Sequence, residues 1–250
     1  MTLDDPQGQR GEASSPRSSP VMSFDDARAL QILVAEHSSL ASARALAYNE
    51  AFTRVGMFLS FLSMSFVALA LIAQATSFAD PFLGITAIVL AFDLTVGLIT
   101  LGRVLGTTSD DLIAVHGMAR VRHGYLEIAP FMEPYFTTGT SDDLAGVMRT
   151  YRAPEGGVRA VVYALTTSTG MMAIIVALVG GVLGGVLSLI VGLGPGLAFG
   201  LGAASAIAVF GALGVGAGAY FRRDQASLDV RFPSSPTASA PTGQADASST

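Results

Sequence analysis

The chain has 250 residues, of which 51% are hydrophobic and 13% are charged, and its mean hydropathy is +0.55. A soluble domain carries about 25% charged residues, so this composition argues against an ordinary water-soluble fold. The net charge of −5, without a dense Arg cluster, argues against nucleic acid as a partner, and the absence of Cys excludes disulfides and thiolate chemistry. The apolar residues are gathered in long blocks, which predicts an all-α membrane protein.

Both ends of the chain have the composition of disordered tails. Residues 1–22 and 222–250 are rich in Ser, Pro, Ala and Thr and poor in large apolar residues. A helix is predicted to begin at Ser23, because Ser23 with Asp26 three residues later resembles a capping box. Apolar residues at three- and four-residue steps follow, so residues 23–53 are predicted to form a cytoplasmic helix.

Residues 54–103 are predicted to form a first transmembrane hairpin. No charged residue occurs from Val55 to Phe78, and about 20 apolar residues suffice to cross a bilayer. The second apolar run, Phe82 to Gly102, is interrupted by Asp93 alone. An acid at a helix centre costs about 2.5–3.5 kcal/mol, and the Leu, Ile, Phe and Val residues around it together offset that cost, so this segment is also predicted to insert.

Residues 104–158 form a loop long enough to fold. Ser109, followed by two Asp residues, predicts a new helix start, and Pro130 is expected to stop the helix that ends near Glu127. We expect this helix to pack with the helix of residues 23–53 on the cytoplasmic side of the membrane.

Residues 159–221 are predicted to form a second transmembrane hairpin, because residues 160–221 carry no charge. Pro and Gly at residues 192–196 predict a turn, which gives spans at about 161–190 and 197–220. A break at residues 180–185 is the less favoured alternative, because it leaves a very long last span. With the first hairpin, this predicts four transmembrane helices.

The distribution of Arg predicts the orientation. Arg occurs before the first span, in the middle loop and after the last span, and neither outer connector contains one. Since short cytoplasmic segments are enriched in basic residues, both termini and the middle loop are expected in the cytoplasm, with the protein in the cell (inner) membrane.

Asp93 is the most informative single residue, because intramembrane acids usually face a helix bundle or a wet cavity. Thr86, Gly97 and Thr100 share its helix face, which predicts that this face is turned towards protein. Counting residues from the flanking Arg predicts a polar cluster at mid-membrane depth, formed by Asp93, Ser63, Thr166 and Thr169. Such a cluster has two interpretations: a protonated Asp93 that holds the helices in register through hydroxyl hydrogen bonds, which we favour, and ion or proton transport.

Glycines at four-residue spacing predict close helix contacts, within the chain or between subunits, because the missing side chain lets helix backbones approach. No strand precedes them and no Lys follows them, so a phosphate-binding loop is not expected. The predicted packing glycines are Gly180 with Gly184, Gly181 with Gly185, Gly196 with Gly200, and Gly214 with Gly218.

Polar residues at helical spacing predict a cytoplasmic polar stripe. A His with a Glu four residues on can supply two metal ligands, but a metal site needs further donors, so a solvated or interhelical polar network is favoured and no metal is predicted. The stripe comprises Glu36, His37, Arg44 and Glu50 on the first helix and His116, Arg120, His123 and Glu127 on the loop helix.

Residues 30–74 resemble the start of a family of uncharacterised bacterial multi-pass membrane proteins. The resemblance is carried by Glu36-His37, Arg44, Asn49-Glu50 and residues 56–60 (GMFLS), and more weakly by residues 125–127 (YLE) and 134–136 (PYF). It implies residence in a bacterial membrane and brings no known activity, so no catalytic role is carried over.

Three functions remain open. The favoured hypothesis is a non-enzymatic, oligomeric sensor or scaffold; the second is a small channel or ion-coupled transporter that uses Asp93; the third is an enzyme, for which no nucleophile, base and orienting set is visible. No cofactor is predicted. The expected partners are the lipid bilayer and further copies of the chain, and the sequence does not indicate a soluble partner or ligand.

Overall fold

The computed structural model describes residues 27–78, 80–152, 154 and 156–234. Within these ranges the protein is helical and contains no strand, and four of its helices are long and apolar enough to cross a membrane. The expected all-α class and the expected number of membrane-length helices are therefore confirmed. The predicted helix start at Ser23 and residues 1–22 lie outside the described residues.

Two very long helices form half of the molecule: α1 spans Ala27–Thr76 and α2 spans Asp80–Ile128. The predicted helix start at Ser109 is wrong, because α2 continues through it. The Ser109 hydroxyl donates to the carboxylate of Asp224 near the end of the chain, and Asp111 accepts from Arg44 on α1. The polar residues that resemble a helix cap thus serve contacts between helices.

Helices α1 and α2 run antiparallel along one another. Three polar pairs mark their register: Arg44 with Asp111, Glu50 with Arg103, and Ser65 with Asp93. The residue number falls on α2 as it rises on α1, which fixes the opposite directions. The proposed boundaries at 53/54 and 103/104 therefore fall inside continuous helices.

The next segment holds three helices, α3 (Leu144–Tyr151), α4 (Gly157–Thr166) and α5 (Ser168–Ile190), after a 3-10 helix at Pro130–Tyr135. The continuous span predicted at 161–190 is wrong, because the chain leaves the helical conformation at Thr167, where ψ is 157°. The Thr167 hydroxyl accepts a hydrogen bond from the Gly170 amide at 3.1 Å and so caps α5. Gly170 permits the sharp bend, because a Cβ there would lie 2.1 Å from the Ala164 carbonyl oxygen.

Helix α6 spans Pro195–Ser227 and packs closely on α5. The predicted turn between them is confirmed: Gly192 has a φ of +87° and Pro195 is the first residue of α6. α5 is unbroken at residues 180–185, which excludes the alternative break.

The tail predicted at 222–250 is corrected for its first half. α6 continues to Ser227, and residues 228–234 follow a defined path along α2 and α3, where their backbone groups bond to buried side chains. Residues 235–250 lie outside the described residues.

The main core lies where α1, α2 and α5 meet. Its hydrophobic cluster includes the large buried side chains of Phe58, Leu90 and Met172. A smaller apolar cluster, formed by Leu112, Val115 and Val147, joins α2 to α3. The molecule thus has an apolar half, built from the membrane-length segments, and a polar layer, defined here as residues 27–50, 104–151 and 228–234.

Candidate functional site

Asp93 is completely buried in the apolar half. Its Oδ1 accepts a hydrogen bond from the Ser65 hydroxyl on α1 at 2.9 Å, and its Oδ2 has no hydrogen-bond partner among the described residues. The hydroxyl of buried Thr86, on the same face of α2, also lacks a partner there. The face of α2 that carries Asp93 is therefore turned into the protein, as the sequence predicts.

The packing around Gly97 supports that orientation. A Cβ at Gly97 would lie 3.0 Å from both Phe58 on α1 and Val176 on α5. The face of α2 one turn beyond Asp93 therefore lies against side chains of both α1 and α5.

The predicted polar cluster of Asp93, Ser63, Thr166 and Thr169 is not formed. Ser63 donates to the Leu59 carbonyl of its own helix, Thr166 donates to the Tyr163 carbonyl, and Thr169 pairs with Thr108 at 3.1 Å. Ser65 takes the place expected for Ser63, because residues two apart on a helix face almost opposite directions. The break at Thr167 directs Thr166 and Thr169 away from Asp93.

The glycines of α5 make the closest helix contact in the apolar half. A Cβ at Gly181 would lie 2.7 Å from Ala206 Cβ and 2.9 Å from the Gly202 carbonyl oxygen, and one at Gly184 would lie 2.8 Å from Ser205 Cβ. Gly180 and Gly185 also face α6. Gly202, which also lies in this contact, was not predicted, because no glycine occurs four residues before or after it.

The predicted glycines of α6 behave differently. A Cβ at Gly196, Gly200 or Gly214 would have no neighbour within 4 Å among the described residues, and at Gly218 it would meet only Arg222 of the same helix. These glycines therefore make no contact between helices within the described chain.

In the polar layer, Asp111 on α2 gathers three donors. Its carboxylate accepts from Arg44 Nε at 2.7 Å, from the Tyr151 hydroxyl at 2.6 Å and from the Tyr48 hydroxyl at 3.3 Å. Burial, together with the bond to Asp111, raises the pKa of the Tyr151 phenol, so this group stays protonated as a donor. The Arg44 guanidinium also lies 5.5 Å from the centre of the Tyr151 ring, within cation–π range.

Asp142, which precedes α3, holds the final described segment of the chain. Its fully buried carboxylate accepts from the backbone amides of Arg231 and Phe232 at 2.9 and 2.7 Å and from Arg120 Nε at 2.8 Å. Its own amide donates to the Phe232 carbonyl at 3.1 Å. Although burial raises it, these hydrogen bonds bring the pKa of Asp142 below its ordinary value, which keeps the carboxylate ionised.

Asp143 adds a second contact to the same segment. It caps α3 by accepting from the Gly146 amide at 2.9 Å, and it also accepts from the amide and hydroxyl of Ser234. Although partial burial raises it, the hydrogen bonds from Ser234 and Gly146 lower the pKa of Asp143 to about 2. We call Asp142, Asp143 and residues 229–234 the terminal clasp.

Two histidines of the predicted polar stripe contact the terminal clasp. His116 Nε2 lies 3.2 Å from the Asp229 carbonyl oxygen and 3.7 Å from Asp142 Oδ2, while its Nδ1 has no partner in the described part of the chain. The His123 ring stacks on Phe232 with centroids 4.1 Å apart, and its Nε2 lies 3.6 Å from Glu127. Within residues 27–234 as described, no three His, Asp or Glu side chains come together as a metal site.

The remaining stripe residues lie apart. Glu36 is exposed, His37 packs beside the Tyr125 ring, and Glu50 pairs with Arg54 and Arg103. Burial and the nearby Arg122 lower the pKa of His37, so it is neutral at pH 7. The stripe is therefore divided among separate networks. Asp111 and Asp142 each accept several hydrogen bonds in the polar layer, but neither was predicted as a site residue. The sequence Ser141–Asp143 carries the same helix-cap signal as Ser109–Asp111.

A cavity of about 570 Å³ lies where the apolar half meets the polar layer. Its walls come from α1, α2, α3, α4, α5 and α6 and are mostly apolar, and Asp111, Tyr48 and Tyr151 form its polar end. Ligand pockets commonly have about 300–1,000 Å³, so this space is of ligand size.

Comparison with known proteins gives no match: no protein-family model, no curated protein and no solved structure is similar to this chain.

Proposed function

We propose that the chain is a four-span integral membrane protein that acts as a non-enzymatic, oligomeric sensor or scaffold. The apolar segments of α1, α2, α5 and α6 form two transmembrane hairpins, and the polar layer and both termini lie in the cytoplasm. The Arg distribution supports this orientation, since both outer connectors lack Arg. The resemblance of residues 30–74 to bacterial multi-pass membrane proteins suggests the inner membrane.

The observation that carries the sensor hypothesis is the continuity of α1 and α2. Each runs without a break from the apolar half into the polar layer. A shift or rotation of α1 against α2 in the membrane therefore changes the distance between Arg44 and Asp111, and the same α2 carries Arg120 to the terminal clasp. Rigid helices that join two packed regions are a known means of transmitting a conformational change.

The oligomeric part of the proposal rests on α6. Gly196 and Gly200 face open space in the single chain, and small residues on an exposed membrane helix permit a second helix to approach. In contrast, Gly184 packs on Ser205 of the same chain, so its replacement tests the monomer instead of the oligomer.

Topology is tested first, by single-cysteine labelling in the naturally Cys-free chain. Phe78→Cys and Gly194→Cys should react with an impermeant reagent from outside, and Arg152→Cys should react only from inside. Labelling of Phe78→Cys and Gly194→Cys from inside contradicts the topology.

The sensor hypothesis is tested by coupling across the molecule. In proteoliposomes, Gly97→Ala should loosen the contact of α2 with Phe58 and Val176 and accelerate amide hydrogen exchange at residues 228–234. Gly84→Ala is the control, because a Cβ at Gly84 meets nothing within 4 Å. Exchange at residues 228–234 that is the same in both variants contradicts coupling.

A channel or ion-coupled carrier centred on Asp93 is the second candidate. The specific observation in its favour is that Oδ2 of Asp93, a completely buried acid in the apolar half, has no hydrogen-bond partner among the described residues. Proton and cation flux is compared between the native chain and Asp93→Asn at matched insertion and oligomeric state. Flux that disappears with Asn supports the carrier, and the absence of flux in both favours the sensor or scaffold.

A further inference from the structure

The cavity at the junction of the apolar half and the polar layer opens to the surroundings between α4 and α6. Tyr163 and Ala164 on α4 and Gly214 on α6 line it and are themselves exposed. The deeper wall is formed by buried residues, among them Ala51, Leu101 and Val104. The space is therefore a side pocket with an apolar interior and a lateral mouth.

The closed end of the pocket offers no free charge. Asp111 is satisfied by Arg44, Tyr48 and Tyr151, and Thr108 pairs with Thr169. A cationic or polar ligand would lose its own hydration there without gaining an unpaired charged partner among the described residues. The interior thus favours hydrocarbon, whose removal from water or lipid headgroups carries no such cost.

One Arg on α4 and one on α6 are close to residues that line the pocket. Arg222 on α6 folds back over the cavity wall, since its Nη1 lies 3.7 Å from the position of a Cβ at Gly218, a lining residue. Arg159 on α4 is exposed and directly precedes Ala160, another lining residue. Within the described part of the chain, neither Arg has an ion pair.

We propose that the pocket binds one acyl chain of an anionic phospholipid, whose phosphate is held at the mouth by Arg222 and Arg159. The inference rests on the proposed four-span topology, which places residues 159 and 222 at the cytoplasmic surface of the bilayer and the mouth at the level of the inner leaflet. Basic pockets between transmembrane helices on this side bind anionic headgroups, and the apolar interior accepts the chain. The bound lipid would hold α4 and α6 together beside the Asp111 network. The lipid composition of the bilayer would thereby affect the conformation of the proposed sensor.

The test uses the natural absence of Trp. Phe210→Trp places a single fluorophore on the cavity wall, and Val215→Trp places one about 7.5 Å further along the same helix, on a 72% exposed position outside the pocket. Each is reconstituted in phosphatidylcholine with increasing mole fractions of phosphatidylglycerol brominated in its acyl chains, which quenches nearby Trp.

Phe210→Trp should be quenched well above proportion at low mole fractions of the brominated anionic lipid, while Val215→Trp is quenched in proportion to it. Adding Arg222→Gln should weaken the preference for the anionic lipid about five-fold, as expected for one Arg near an anionic surface. Adding Ala164→Phe, an exposed change at the mouth, should remove the excess quenching with little effect on the fold.

Proportional quenching of both reporters overturns the lipid site and leaves the membrane topology standing. Excess quenching that is equal for brominated phosphatidylcholine overturns the role of the two Arg residues. If neither reporter is quenched by any brominated lipid, no lipid reaches α6 from the pocket or from its exposed face, and both the lipid site and the proposed topology have failed.

Discussion

In the apolar half of the molecule α5 and α6 meet through glycines, whereas in the polar layer distant segments meet through buried carboxylates. Gly181 and Gly184 bring two backbones together without any polar side chain between helices except Ser205, which donates to the Gly180 carbonyl at 3.1 Å. Asp111 and Asp142 instead collect Arg, Tyr and backbone donors from positions as far apart in the chain as 44 and 151, or 120 and 232.

The proposed membrane topology accounts for this difference. Within a bilayer apolar side chains gain little by leaving lipid, so close packing of small residues holds helices together. In water-facing regions buried carboxylates are stable only when donors replace their hydration, so each one gathers a full set. Asp93 departs from both rules, because it is buried with one oxygen unpartnered among the described residues, and this marks it as the position to test for function.

The largest effect is expected from Asp142→Ala. The change removes the acceptor of two backbone amides and leaves Arg120 without its partner, which should cost about 3–5 kcal/mol, the range for breaking a buried ion pair. Amide hydrogen exchange at residues 229–234 and thermal unfolding followed by circular dichroism measure it. Asp229→Ala is the control, since its exposed pair with Arg231 contributes little. Equal stability of the two variants would contradict the role of Asp142 in holding residues 229–234.

Tyr151→Phe comes next. It removes a donor to a buried carboxylate without changing the ring, and hydrogen bonds to charged groups contribute about 1.5–3 kcal/mol. Tyr163→Phe is matched in chemistry and loses only an exposed 3.4 Å bond to the Tyr151 carbonyl. Thermal unfolding of both variants in the same detergent measures the difference. An equal loss of stability in the two would show that the hydrogen bond from Tyr151 to Asp111 does not stabilise the fold.

Gly181→Val tests the apolar half. Its side chain would meet Ala206 and the Gly202 backbone, so α5 and α6 must separate, at a cost of about 1–3 kcal/mol for overpacking. Gly200→Val has the same helix propensity cost but faces open space, so the folded monomer should tolerate it while its oligomers weaken. Unfolding in detergent measures the stability of the monomer, and native mass spectrometry measures the oligomeric state. If the two variants behave identically in both assays, the different roles of Gly181 and Gly200 are contradicted.

The smallest effect is expected from acid. The pKa of Asp143 falls from 3.8 to about 2 in the folded chain, so its contribution is complete above about pH 4 and is lost as the pH falls towards 2. Faster amide hydrogen exchange at Ser234 over this window, after correction for the intrinsic pH dependence, would show release of the segment. In Asp143→Asn, which keeps the cap of α3, this change should be absent, and its persistence would assign the titration to another group.

Several features could be predicted from the sequence. The long uncharged runs predict the four membrane-length helices, and Gly192 with Pro195 predicts the turn between α5 and α6. The inward orientation of Asp93 also follows, since Thr86 and Gly97 share its helix face. Each of these depends on solvent preference or local geometry, which the order of residues expresses directly.

The wrong predictions concern positions where a local signal has two uses. A Ser followed by two Asp residues predicts a helix start both at Ser109 and at Ser141, yet it caps a helix only at the second. At the first, α2 continues because Arg44 and the end of α6 supply partners for the same polar groups. Similarly, depth counted along the sequence cannot choose between Ser63 and Ser65, which lie at similar depths on different faces of α1.

The sequence by itself determined which segments are apolar enough to cross a membrane, because hydropathy and charge are properties of the residues alone. The tertiary structure alone decided that Ser65 bonds to Asp93, that α4 turns away from α5 at Thr167, and that the backbone amides of Arg231 and Phe232 bond to Asp142. These contacts join groups up to 90 residues apart, and their formation depends on the rotation and offset of packed helices, which no local pattern records.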